Sequence, residues 1–209
     1  MRILALDAAL TGCSAALLID DVVAGAAALP GGPGQTARLA VVAQSLLAAA
    51  PGRLDAVAAT VGPGSFTGLR AALALAHGMA FGFACPCIGV SVAEALANAM
   101  PPLPGRALWV AIDSKRAGRV FLDIAGRLSV AAPDALPPCG GPVAVAGDAA
   151  PMVAAALAAR GTDVLLADAR RPRAADVARV AARRLAGALP ALAAQPLYAE
   201  APLARPMAA

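Results

Sequence analysis

Nine residues, Gly62-Pro63-Gly64-Ser65-Phe66-Thr67-Gly68-Leu69-Arg70, join an apolar run at 55–61 to a long alanine- and leucine-rich run at 71–84. Val57, Thr60 and Val61 suit a buried strand. Gly62 and Gly64 allow a sharp turn, and Pro63 stiffens it. Ser65 is a good helix N-cap, because its hydroxyl can accept from an amide of the first turn. The stretch reads as strand, glycine-rich elbow, helix. That geometry suits an anion held on helix amides, a partner-binding corner or a purely structural turn. A nucleophile elbow needs Gly-x-Ser-x-Gly, and the order here is Gly-Ser-Phe-Thr-Gly. A Walker loop needs Gly-Lys-Ser/Thr, and the single lysine is Lys115.

The remainder of the chain alternates strand-like and helix-like segments. Residues 2–7, 14–19 and 22–29 read as three strands in meander order, with Asp20-Asp21 at a hairpin. A loop at 30–34 precedes a helix at 35–50, where Leu39, Val42, Ala43, Leu46, Leu47 and Ala50 recur at helical spacing. The elbow helix runs to about 83, with Phe66, Leu69, Arg70, Leu73, Ala76, His77 and Ala80 on neighbouring positions. A strand at 85–90 and a helix at 91–100, capped by Ser91, follow. Pro101-Pro102-Leu103-Pro104-Gly105 is the best linker, dividing the chain into 1–102 and 103–209. Strands at 107–113 and 119–124 open the second half, and a loop occupies 133–142. Then come a strand at 143–146, a helix at 151–160, a strand at 163–167 and a helix at 172–185. Strand, hairpin and helix recur in one order in both halves, so the class is α/β with two subdomains.

Both first-half helices carry more apolar surface than one sheet contact needs. Such a surplus belongs to a partner surface or to a wholly internal core.

The elbow motif is similar to the signature of the bacterial TsaB (YeaZ-type) family, whose members are non-catalytic dimerization subunits of the tRNA threonylcarbamoyladenosine synthesis complex. Two looser matches support it. Asp113-Ser114-Lys115-Arg116-Ala117-Gly118-Arg119-Val120-Phe121 resembles a family stretch, and Pro196 to Ala204 resembles the family's closing motif, with Glu200 where Arg is usual.

The resemblance implies a duplicated actin/Hsp70/sugar-kinase-like (ASKHA) fold, with residues 1–102 as the partner-binding subdomain. It implies a scaffold that holds the TsaD threonylcarbamoyltransferase in its competent state for modification of the adenosine beside the tRNA anticodon. A TsaE-type ATPase would join the pair, tRNA would be touched at most indirectly, and the free chain would form a homodimer. The expected interface is Leu39, Val42, Ala43, Leu46, Phe66, Thr67, Arg70, Leu73, Ala76 and His77. Leu46→Arg or Leu73→Arg should then disrupt pairing more than folding.

Asp7 and Thr11 stand where the superfold puts a phosphate hairpin, a vestigial nucleotide site or, equally, an Asp accepting turn amides. No cofactor or metal is expected. The catalytic relative TsaD holds its metal with a histidine pair, and this chain has one histidine, His77.

Two rival activities draw on the same residues. A small ATPase would use Asp7, Thr11 and Gly147-Asp148. A peptidase would need Ser65 or His77, but there is no His-Glu-x-x-His, and His77 sits mid-helix. The arginines Arg170, Arg171, Arg173, Arg179, Arg183 and Arg184 form a basic run able to reach phosphates, diluted by Asp168 and Asp176.

Composition narrows the setting. Hydrophobic residues make up 60% against 14% charged, which excludes global disorder. A net charge of +4 and 3% aromatics give no interleaved surface for stacking bases. Cys13, Cys85, Cys87 and Cys139 lack zinc-ligand spacing and read as buried thiols. Leu10-Thr11-Gly12-Cys13 resembles a lipoprotein cleavage box, but Asp7 interrupts the apolar segment before it. The run at 71–90 approaches membrane-spanning length, but His77, glycines and Pro86 break it. The expected location is the cytoplasm.

Overall fold

The computed structural model describes residues 1–32 and 34–199. Alternation along the first strand, β1 (Arg2–Asp7), sets the layers of the first half. Leu4 and Leu6 face one core and Ile3 and Ala5 face another, as the period of two in a strand requires. β2 (Cys13–Ile19) and β3 (Val22–Leu29) complete an antiparallel meander with β1. β4 (Ala56–Gly62) and β5 (Cys87–Ser91) add in parallel on the other side, giving the order β3-β2-β1-β4-β5. Helices α1 (Gln35–Ala49) and α2 (Phe66–Gly82) lie side by side on the face of Leu4 and Leu6.

Helix α3 (Val92–Asn98) follows β5 directly. Ser91 and Glu94 form a reciprocal capping box that satisfies two otherwise orphan amides. The second sheet holds β6 (Ala107–Asp113), β7 (Val120–Ile124), β8 (Arg127–Ala131), β9 (Val143–Ala146) and β10 (Val164–Leu166). Its order, β8-β7-β6-β9-β10, repeats the first sheet strand for strand. The two halves thus carry a duplicated α/β layout. Helix α4 (Ala150–Ala158) covers one face through Val153 and Leu157.

Two features depart from the reading of the sequence. Strand β8 was not anticipated, because Arg-Leu-Ser-Val-Ala is short and half polar. It forms because Ala125 and Gly126 both take positive φ, 53° and 81°, the backbone of a two-residue hairpin turn. Second, helix α5 (Ala174–Leu185) does not stay with the sheet that precedes it. It crosses back and packs Val177, Ala178 and Ala181 against Ile3, Ala5, Ala16 and Leu18 of the first sheet. The division at 102/103 separates the sheets, while the end of the chain completes the first layer. Between the halves, Leu10, Leu69, Val92 and Leu96 pack against Val110, Ile112 and Ala146.

Candidate functional site

The elbow is built by backbone contact. β4 is buried along its whole length and ends at Gly62, whose φ of 116° few other residues could adopt. The Gly62–Pro63 bond is cis. The Ser65 amide donates to the Ala9 carbonyl oxygen at 2.7 Å, pinning the elbow to the β1–β2 turn. A methyl group at Gly64 or Gly68 would collide with the carbonyl oxygens of Ala9 or Ala8. Ser65 caps α2, its Oγ accepting from the Gly68 amide at 3.2 Å. The motif glycines therefore let the α2 N-terminus press against the first hairpin.

Beside the elbow runs a cleft of about 750 Å³ between the two sheets. Its walls are residues 9–11 of the first hairpin, the elbow from Pro63 to Arg70, residues 113–116, Asp148 and the C-terminal segment 196–199. Lys115 Nζ donates to Asp113 Oδ2 at 2.8 Å, and the Asp113 amide donates to Asp148 Oδ1 at 2.8 Å. Lys115 holds the Asp113 carboxyl below its ordinary range.

Asp7 does not join this cleft. It is 4% exposed and lines a second hollow, of about 620 Å³, on the other side of the hairpin. Among the described residues, only Leu10 and Thr11 border both hollows. Thr60 Oγ1 and the Ala9 amide both donate to Asp7 Oδ1, at 2.7 and 3.1 Å. Burial pushes the Asp7 carboxyl up to about 6, against the pull of those two bonds. Asp7 and Asp148, which the ATPase reading would combine, thus lie in separate hollows.

The ten expected interface residues fall into three groups. Leu39, Ala43, Leu73 and Ala76 are buried in the chain's own core beneath α1 and α2. This corrects the expectation for Leu73: an arginine there would disrupt the fold first. Val42 and Leu46 are half-buried, and Leu46 packs on β3, where a methyl group at Gly25 would come within 2.8 Å of it. Phe66, Thr67, Arg70 and His77 are exposed.

With Ala74, Gly78, Phe81 and Gly82 these residues make one continuous outward stripe on α2. Phe81 is 91% exposed, and no atom beyond the helix backbone stands within 4 Å of a methyl group added at Gly78 or Gly82. On α1, Val41 is 63% exposed. Periodicity marked the helix faces but could not tell the sheet-facing side from the outer one. Phe81, Gly78 and Gly82 escaped because an exposed residue leaves no local signal.

The basic run is not one surface. Arg173 and Arg179 flank the buried carboxylate of Asp176, at 2.7 and 3.3 Å. The Arg184 side chain is only 6% exposed. It donates to the carbonyls of Gly89 and Pro190, at 2.7 and 2.6 Å, and pairs with Glu94. His77 Nε2 donates to the Ala194 carbonyl oxygen at 2.7 Å. It stands twelve residues beyond Ser65, about 18 Å along the axis at 1.5 Å per residue, so the two cannot act as a catalytic pair.

The cysteines form no disulfide, and burial raises the Cys87 thiol to about 11. Among the described residues, no helix is long and apolar enough to cross a membrane, and no three His, Cys, Asp or Glu side chains gather as a metal site. Glu200 and residues 201–204 of the closing motif lie outside the described residues.

A family profile described as TsaD, tRNA N6-adenosine threonylcarbamoyltransferase, matches residues 36–131. The chain is 36% identical over 125 residues to the tRNA threonylcarbamoyladenosine biosynthesis protein TsaB of Escherichia coli K12. That match covers 58% of this chain and 53% of the relative, about half the relative's length. The solved structure of YeaZ from Pseudomonas aeruginosa superimposes with a TM-score of 0.74 at 26% identity, covering 95% of this chain and all of that one. A second structure, of an uncharacterized protein with similarity to peptidase YEAZ from Pseudomonas aeruginosa, gives 0.75 at 25% identity, with 95% and 99% covered.

Proposed function

The chain belongs to the TsaB (YeaZ-type) family, and we propose that it is the non-catalytic subunit that binds TsaD in threonylcarbamoyladenosine synthesis on tRNA, docking through the outer face of α1 and α2. It acts as a scaffold in the cytoplasm, where TsaD transfers the threonylcarbamoyl group and a TsaE-type ATPase joins the pair. It contributes no cofactor, metal or reacting side chain, and tRNA contact with it is indirect. Alone, the chain covers the same face with a second copy.

One observation carries the docking assignment. The outer stripe of α2 combines a phenylalanine 91% exposed with two open glycines four residues apart. A glycine inside a helix costs about 0.5–1 kcal/mol relative to alanine. Among the described residues, nothing in the chain's own packing uses the space that Gly78 and Gly82 leave. A second helix approaching closely at those positions would use it, with Phe81 as its apolar anchor. Four of the ten expected interface residues are already core, so the contact shifts toward Phe66, Thr67, Arg70, Ala74, His77, Gly78 and Phe81.

Phe81→Glu tests this without touching the core. Calorimetric titration with TsaD should show at least tenfold weaker binding, with the melting temperature of the dilute, monomeric chain unchanged. Binding equal to wild type would remove α2 from the interface.

A further inference from the structure

The segment after α5 forms a strap held by the same face of α2. It runs antiparallel along β5, the open edge of the first sheet, with Ala193 bridging Ile88 and the Gly89 amide donating to the Leu192 carbonyl at 3.0 Å. A methyl group at Gly89 would strike the Ala193 carbonyl oxygen, so the strap lies against bare backbone. Ala194 is buried in the core beneath α2. The Leu197 amide then donates to the Val61 carbonyl at 2.8 Å, and residues 196–199 form one wall of the cleft.

Only two side chains of α2 hold the strap through the hydrogen bonds described. His77 Nε2 donates to the Ala194 carbonyl, and Arg70 Nη2 donates to the Tyr198 hydroxyl at 3.1 Å. The Arg70 guanidinium carbon also stacks 3.7 Å over the Phe66 ring. Arg70 and His77 belong to the exposed stripe, flanking Ala74 and Gly78.

We propose that the strap is a latch on the cleft whose release is coupled to occupation of α2. The coupling rests on the docking role assigned to that helix. A helix seated on Ala74 and Gly78 competes for Arg70 and His77. Each donor it withdraws leaves a strap bond unmade, so docking loosens residues 192–199 and opens the cleft. By reciprocity, whatever holds the strap down weakens docking by the same factor.

Hydrogen–deuterium exchange on the full chain tests the latch in two arms. In the free protein, diluted until it is monomeric, Tyr198→Phe removes the Arg70 bond without altering α2, and His77→Ala removes the other. Each should speed exchange at the Leu197 amide about five- to tenfold, the worth of one hydrogen bond, with β1 amides unchanged. In the second arm, wild type saturated with TsaD should show slower exchange in α2 and faster exchange at 192–199 than the chain diluted until it is monomeric.

Unchanged strap exchange in both variants overturns the latch, as does a strap slowed by TsaD. Protection of α2 with an unaltered strap overturns the latch and leaves docking standing. Absence of any complex overturns the docking reading, and the latch with it.

Discussion

Replacing Gly78 by alanine should move two quantities in opposite directions. Gly78 lies within α2, and a methyl group there meets no atom within 4 Å other than the helix's own backbone. The free protein therefore gains the helix propensity of alanine over glycine, about 0.8–1.0 kcal/mol, without a steric cost. For a domain of this size that raises the melting temperature by about 2–4 °C. In the complex the methyl group stands where the partner helix approaches most closely. Small-to-large changes at packed positions cost about 1–3 kcal/mol. That corresponds to roughly 5- to 150-fold weaker binding of TsaD. Thermal unfolding of the free chain, diluted until it is monomeric, and calorimetric titration with TsaD read the two effects separately. A variant that is more stable yet binds like wild type would refute the close approach at Gly78. A variant that is less stable would refute the description of that surface as open.

Other substitutions probe the elbow, the first hairpin and the strap. Gly68→Ala drives a methyl group into the Ala8 carbonyl, so despite its better helix propensity it should lose about 1–3 kcal/mol in denaturant unfolding; an unchanged midpoint would show that the contact can relax. Asp7→Asn keeps an acceptor for Thr60 and Ala9 but removes a buried charge. The native carboxyl titrates at about 6, above its ordinary 3.8, so the native state binds the extra proton and wild type loses stability as pH rises from about 4 to 6. The loss is about 3 kcal/mol at 1.36 kcal/mol per pH unit. Asp7→Asn should therefore melt higher than wild type at pH 7.5 and nearly level with it at pH 4, and a gap independent of pH would contradict this. Arg184→Ala strands Glu94 and the carbonyls of Gly89 and Pro190, and should cost about 2–4 kcal/mol in thermal unfolding. A loss below about 1 kcal/mol would mean that water replaces the guanidinium.

What could be read in advance was local. The elbow announces itself because glycine, proline and a capping serine punctuate it, and Ser65 caps α2 as its neighbours suggest. The α/β class follows from apolar runs of strand and helix length, and the two sheets with matching order agree with it. Leu39, Ala43, Leu73 and Ala76 were recognisable as helix-face residues, but spacing does not say whether a face meets its own sheet or a partner, and the sheet takes these four. Arg184 looked like part of a basic run able to reach phosphates. Its burial depends on Glu94 and Gly89, about ninety residues earlier in the chain, and no local pattern encodes that. The cleft is likewise assembled from segments far apart in the chain, and α5 reaches the first sheet only by crossing the second half.

Light scattering after gel filtration, on the chain alone and mixed with TsaD from the same organism, tests the docking role most directly. The chain alone should elute at twice its 20.4 kDa mass, and the equimolar mixture should give a single species in which one copy of each chain has replaced the homodimer. Two species that keep their separate masses at micromolar concentration would contradict it.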